Sequence, residues 1–136
     1  MKTLVLFYSY TGHSKKLAQA YAEKESADVA EIKEQERPGM LKAYLAGCFA
    51  AMRGKPWPIM PLSIEWAAYD NIKFFFPIWA SNPPPAVYAA LALLPEGKTI
   101  KITALSGSGH SACKAKVEAL VQAKGCTLEG FEDVKA

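Results

Sequence analysis

Thr3-Leu4-Val5-Leu6-Phe7-Tyr8-Ser9-Tyr10-Thr11-Gly12-His13-Ser14-Lys15-Lys16-Leu17-Ala18 is the stretch whose reading decides the fold. Residues 3–8 are an apolar, β-prone run without polar alternation, which a strand covered on both faces and central in a parallel sheet requires. A polar turn containing a glycine follows. Leu17, Ala18, Tyr21 and Ala22 then fall on one face of a helix over 13–25.

The same alternation runs outward from this stretch. Ser26-Ala27-Asp28 closes the first helix before a short strand near 28–33. Residues 39–53 repeat the helical period through Leu41, Tyr44, Leu45, Cys48, Phe49 and Met52. Pro56-Trp57-Pro58-Ile59-Met60-Pro61 can only be a loop. A second fully apolar strand is expected over 71–78, a Trp- and Pro-rich loop over 79–85 and an apolar helix over 85–94. A third strand follows at 98–105, then a Gly-Ser loop from Ser106 to Gly109, a helix over 110–124 on Val117, Leu120 and Val121, and a last strand at 127–134. Strands and helices in strict alternation predict an α/β fold with a parallel sheet and right-handed crossovers. Such sheets bind ligands outside the carboxyl ends of their strands, where the loops at 9–14, 77–85 and 106–110 fall.

The 136 residues suit a single domain, 1–136, and 51% apolar with 21% charged residues is a globular composition. The longest apolar run, Ala86 to Leu94, is closed by Pro85 and Pro95 and falls well short of the ~20 residues of a spanning helix. The apolar run at the N-terminus is too short for a signal peptide. These features predict a soluble, cytoplasmic protein without a membrane partner. Cys48, Cys113 and Cys126 are odd in number and widely spaced, which fits buried small apolar residues better than a disulfide or zinc framework. A net charge of +3 is too weak to argue for nucleic acid. Its distribution is more informative: residues 1–22, 71–95 and 97–117, half the chain, contain no Asp or Glu. If the three loops converge, they form a site without negative charge of its own.

Each loop has its own chemistry. Ser9, Thr11 and Ser14 offer hydroxyls, and Gly12 lets an anion approach the backbone N–H groups at a helix N-terminus. Lys15 and Lys16 oppose the helix dipole by about 0.3–1 kcal/mol each, a penalty that a bound dianion would reverse. An ordinary Ser or Thr N-cap with two solvated lysines is the competing reading. The loop lacks GxxxxGK[ST], a Cys or Arg for a thiol phosphatase, and the Asp cluster of a receiver domain. In Pro77-Ile78-Trp79-Ala80-Ser81-Asn82-Pro83-Pro84-Pro85, prolines fix the backbone around an indole suited to stack on a planar ring, or simply to pack against the next helix. Ser106-Gly107-Ser108-Gly109 exposes N–H and OH groups for the polar edge of a ring or for an anion. Gly107 to Ala112 also fits the dinucleotide fingerprint GxGxxA, with Glu132 about 20 residues on, but only one βαβ unit could follow it.

Taken in order, [ST]x[ST]Gx[ST] at Ser9, Thr11, Gly12 and Ser14, the block from Tyr69-Asp70 to Pro77-Ile78-Trp79, and Ser106-Gly107-Ser108-Gly109 resemble the flavodoxin family over almost the whole chain. The resemblance implies a three-layer, doubly wound, five-stranded parallel sheet in the order 2-1-3-4-5 that binds FMN. It implies that Ser9, Thr11 and Ser14 with the amides of 10–14 hold the phosphate, and that Trp79 stacks on the isoalloxazine. Backbone groups of 78–80 and 106–109 would meet the ring's polar edges, with Tyr10, His13, Pro77 and Ala80 in the same loops. The implied activity is electron transfer with redox partner proteins or a small quinone-like acceptor, and no catalytic group from the protein is needed. An NAD(P)H-dependent quinone or flavin reductase, with Trp57 or Tyr88 at a substrate pocket, is the alternative within the fold. A flavin-free module that binds a phosphate ligand or a protein is the alternative outside it. Two departures stand out. The loops carry no acids, so a reduced anionic flavin is less disfavoured than in acidic carriers. Family members also place a helix after the fifth strand, and this sequence has none. Ile100, Ile102 and Ala104 alternate with Thr99, Lys101 and Thr103, as one wet sheet face requires. That face is therefore expected to be solvated near the last two strands, or covered by a second subunit in a homodimer.

Overall fold

The computed structural model describes residues 2–37 and 39–135, apart from the side chain of Tyr44, so that member of the 39–53 period lies outside the described residues. Five strands, β1 (Lys2–Phe7), β2 (Asp28–Glu31), β3 (Tyr69–Pro77), β4 (Thr99–Ser106) and β5 (Thr127–Lys135), form one sheet in the order β2-β1-β3-β4-β5. Every pairing is parallel. The expected fold class and strand order are both present. The order reverses between β1 and β3, which places the switch point at the carboxyl ends of those two strands.

Among the described residues, the helices that flank the sheet are α1 (His13–Glu25), α2 (Met40–Lys42, a π-helical turn Ala43–Gly47, and Cys48–Arg53), α3 (Pro85–Leu91) and α4 (Lys114–Ala123), with a short 3-10 turn Trp66–Ala68 before β3. On one face Leu4, Leu6, Phe74, Phe76, Ile100 and Ile102 pack against Val87 and Leu91 of α3 and Val117 and Val121 of α4. On the other face Val5, Phe7 and Phe75 pack against Ala18 and Ala22 of α1, with Tyr21 and Ala27 at the margin of this smaller cluster. Beyond α1 that face is an open groove of about 700 Å³, lined by residues that include Tyr21, Lys73, Phe75, Lys101, Thr103 and Glu132. The face expected to be wet from the alternation in β4 is open at Lys101 and Glu132, while Thr103 is buried, and among the described residues no helix follows β5.

Two expectations are corrected. The helix placed at 110–124 begins at Lys114, because Ala112 takes a left-handed φ of 57° that a helix cannot include. The Ser106 and Ser108 hydroxyls meanwhile engage the backbone of Gly109 and His110. His110 is therefore a loop residue and not part of a first helical turn. In α2 the large apolar residues are not the buried stripe. Ala43, Gly47 and Ala51 face inward, while Leu41, Leu45, Phe49 and Met52 are exposed.

Candidate functional site

The first loop leaves β1 at Ser9, which is buried, and Tyr8 N–H donates to the Phe75 carbonyl at 3.0 Å, tying the exit of β1 to β3. The turn closes through Gly12 N–H, which donates to Ser9 Oγ at 2.9 Å. Gly12 sits at φ 103°, where a Cβ would be strained, and it is the N-cap of α1. No side chain caps this helix. The Ser/Thr N-cap reading is thereby corrected. Among the described hydrogen bonds, the N–H groups of Thr11, His13, Ser14 and Lys15 have no acceptor. Ser14 is buried beneath them, and Thr11 and His13 are exposed with Oγ1 and Nδ1 3.5 Å apart. These unpaired donors at a helix N-terminus, with Lys15 and Lys16 exposed in the first turn, favour an anion.

The second loop folds back tightly. Trp79 N–H donates to the Asn82 carbonyl at 2.8 Å and Asn82 N–H to the Trp79 carbonyl at 3.0 Å. The two residues between them, Ala80 and Ser81, both take left-handed φ, 51° and 62°. Neither is glycine, so the turn stores strain of order 1 kcal/mol or more per residue, which the surrounding bonds must offset. Asn82 provides one, donating from Nδ2 to the Ala80 carbonyl at 2.7 Å. Lys116 of α4 provides another, donating to Asn82 Oδ1 at 2.9 Å.

This turn holds Trp79 half-buried among other rings. Tyr8 and Tyr10 each meet it edge-on with centroids 5.9 Å apart, and Trp57 does so at 6.5 Å. A Cβ on Gly47 would lie 2.6 Å from the indole, so the π-helical turn of α2 rests directly on Trp79. The remaining side of the ring faces a cavity of about 260 Å³, lined by Tyr10, Met40, Ala43, Cys48, Ile78, Trp79 and Ala80. Cys48 is half-buried at this cavity, while Cys113 and Cys126 are buried, as expected of small apolar residues.

The third loop lies beside the second through a hydrogen bond from Ile78 N–H to the Leu105 carbonyl at 2.8 Å. Gly109 N–H donates to Ser106 Oγ at 3.0 Å, and His110 N–H donates to Ser108 Oγ at 3.2 Å. The amides of Ile78, Trp79 and Gly109 are thus already used. Those of Ala80, Gly107 and Ser108 have no acceptor among the described hydrogen bonds. The structure brings Ser9–Ser14, Pro77–Ala80 and Ser106–Gly109 to one edge of the sheet. Tyr10, Ile78, Trp79 and Ala80 share the cavity, and Ser106–Gly109 lie outside its lining.

Several neighbours carry no motif. Tyr8 donates to the buried Glu34 carboxylate, and burial followed by that carboxylate pushes its phenol far above the ordinary range. Arg37 stacks on Tyr10, with its Cζ 4.4 Å from the ring centroid, and donates to the Tyr10 carbonyl. Ser111 donates to Asp133 at 2.5 Å. The three loops themselves lack acids, but Glu34 approaches them from the segment after β2 and Asp133 from β5. The one sequence signal for α2 as a wall of the site is its mid-helix Gly47, which a helix keeps when a neighbour comes close.

No family model and no curated protein matches this chain. Solved structures do. A flavoprotein from Lactobacillus acidophilus, crystallised in complex with FMN, superposes with a TM-score of 0.82 at 22% identity, covering 96% of this chain and 91% of its own. A putative flavoprotein from Bacteroides eggerthii gives a TM-score of 0.79 at 18% identity, covering 96% and 86%. The oxidised flavodoxin 2 of Bacillus cereus gives 0.55 at 17% identity, covering 99% and 84%. Together with the strand order, these likenesses establish a flavodoxin-like fold.

Proposed function

We propose that the protein binds FMN at the carboxyl edge of β1, β3 and β4 and serves as a cytoplasmic electron-transfer protein, passing electrons to redox proteins or a small quinone-like acceptor. The observation that carries this reading is the pairing of the unsatisfied N–H groups at the start of α1 with the Trp79 cavity on the adjacent loop. The donor set fits the cofactor. Thr11, His13, Ser14 and Lys15 N–H groups, with the Ser9, Thr11 and Ser14 hydroxyls, suit a phosphate dianion. Trp79 and Tyr10 suit a ring face, and the Ala80, Gly107 and Ser108 N–H groups suit its carbonyl edge. When bound, FMN supplies one- and two-electron chemistry. The protein's part is to bind, orient and shield it. The likeness to an FMN-complexed flavoprotein supports the reading.

Titration of the purified protein with FMN is expected to quench tryptophan fluorescence and to saturate with Kd of about 1 μM or tighter, equivalent to roughly −8 kcal/mol. Trp79→Ala should weaken it at least tenfold. Absence of any spectral change on adding FMN would sink the proposal. A second reading, an NAD(P)H-dependent reductase, draws on a separate cavity of about 410 Å³ in which Trp57 forms a wall with Glu34, Gln35, Glu36, Lys42 and Pro58. Turnover of NADH or NADPH with a quinone and no added reductase selects it over the carrier.

A further inference from the structure

The outer face of α2 is unusual for a solvent-facing helix. Met40, Leu41, Leu45, Phe49 and Met52 are between 50% and 81% exposed. At ~150–200 Å² per large side chain, this amounts to roughly 500–600 Å² of apolar surface, the upper end of what a monomer leaves in one patch. The helix keeps these residues outside because its inward stripe, Ala43, Gly47 and Ala51, is small enough to let the backbone rest on Trp79. The apolar surface is also shaped. Leu45, Cys48, Phe49, Met52 and Ala80 line a depression of about 370 Å³, and it shares Cys48 and Ala80 with the cavity beside Trp79. One continuous apolar surface therefore runs from the outside of α2 to the candidate cofactor cavity.

Cations predominate on its rim, with Glu36 the exposed acid beside Lys42. Residues 37–64 contain Arg37, Lys42, Arg53 and Lys55 and no Asp or Glu. Three of these cations are seated on aromatic rings at the edges of the surface. Arg37 lies over Tyr10, Lys42 Nζ is 5.8 Å from the Trp57 centroid, and Arg53 Cζ is 6.0 Å from that of Phe49. Lys116 adds a further positive charge, its Nζ 3.4 Å from the Met52 carbonyl.

We propose that this surface docks an acidic redox protein, one that presents an apolar contact ringed by Asp and Glu. The identity of the partner as a redox protein rests on the electron-transfer reading above. The surface itself rests on exposure and charge. A second copy of this chain would set the cations of one rim against those of the other. A bilayer would take up the apolar side chains but has no use for a surface that leads to Trp79. Two such faces would bury about 1,100 Å² in all, the size of a weak electron-transfer encounter, with charge complementarity supplying the on-rate. Exposed methionine and phenylalanine are adaptable contacts for a transient partner.

The test uses an acidic plant-type [2Fe–2S] ferredoxin, with basic cytochrome c as the control of opposite charge, and measures binding by calorimetry before and after addition of FMN. Binding without FMN separates docking from the cofactor reading, since an intact surface on a protein that takes no flavin would refute only the latter. The ferredoxin is expected to bind with Kd on the order of 10 μM at low salt, weakening about tenfold at 0.2 M salt, while cytochrome c does not bind. Lys42→Glu with Arg53→Glu should weaken ferredoxin binding about tenfold and create binding to cytochrome c. Leu45→Ser with Phe49→Ser, at exposed positions, should weaken ferredoxin binding about fivefold with circular dichroism unchanged. The proposal is overturned by no ferredoxin binding at about 100 μM, or by binding that neither pair of substitutions changes. It is equally overturned by a wild-type dimer that Leu45→Ser with Phe49→Ser dissociates, or by wild-type binding to phosphatidylglycerol–phosphatidylcholine vesicles that the same pair abolishes.

Discussion

At Gly47 two opposing magnitudes meet. In a helix interior, alanine is favoured over glycine by about 1 kcal/mol, so Gly47→Ala at an open position would stabilise the protein. Here the new methyl would lie 2.6 Å from the Trp79 ring, and the ring is hemmed in by Tyr8, Tyr10 and Trp57. Overpacking of that kind costs about 1–3 kcal/mol, so the ring contact decides the sign. Gly47→Ala is expected to lower the urea midpoint by the equivalent of about 1 kcal/mol and to change the near-UV circular dichroism of the indole. A raised midpoint with an unchanged spectrum would show that α2 does not press on Trp79. Trp79 itself was legible in the sequence, since an indole after an apolar strand and among prolines stands out. Tyr8 and Glu34 were not, because a tyrosine closing a β-prone run looks like strand, and its partner lies 26 residues away.

Among the elements, α1 tests the anion site most directly, because its first turn carries charge of the wrong sign for a bare helix. Lys15 and Lys16 sit where the dipole is positive, and no acid or capping side chain offsets them. Replacing both by Gln should stabilise the ligand-free protein by roughly 0.5–2 kcal/mol in urea denaturation. The same change should weaken FMN binding severalfold and leave the binding of riboflavin, which has no phosphate, unaltered. Equal weakening of both ligands would place the effect outside the phosphate site. The three central strands and α1 could be read in advance because their apolar runs and helical period are long and uninterrupted. The inward face of α2 could not. Hydrophobic periodicity marks large residues, whereas burial in α2 follows the small ones, Ala43, Gly47 and Ala51, which a close approach to an aromatic ring requires. The start of α4 was equally hidden, since only the left-handed Ala112 and the hydroxyl-bound backbone before it delay the helix to Lys114.

Over the whole molecule the core is one-sided, and that asymmetry leaves a charged lysine in an unusual place. Lys73 is on β3, a strand internal to the sheet, yet its side chain lies on the face that α1 alone covers. It is 9% exposed, and its parallel-register neighbour on β4 is Lys101. Its ammonium rests 5.1 Å from the Phe75 ring centroid and 5.4 Å from that of Tyr21. Lys101 is paired instead with Glu129 at 3.2 Å. Burial holds the Lys73 ammonium below the ordinary lysine range, against a smaller opposing pull from Glu132. A group whose charged form is disfavoured in the fold subtracts stability wherever it is charged. The unfolded chain then binds more protons than the native one between the folded and unfolded pKa, so stability rises with pH across that interval. Lys73→Met keeps the volume and removes the charge. It is expected to raise the urea midpoint at pH 7 by about 1 kcal/mol equivalent, the scale on which an imperfectly paired buried charge gives way to a well-packed apolar side chain. The advantage should shrink as the pH approaches about 10.5, the lysine value in the unfolded chain, because wild type then sheds the same charge. A destabilised Lys73→Met, or a difference that does not vary with pH, would mean that the ring contacts of Lys73 outweigh its desolvation. In that case the open face would be held by the lysine, not merely burdened with it.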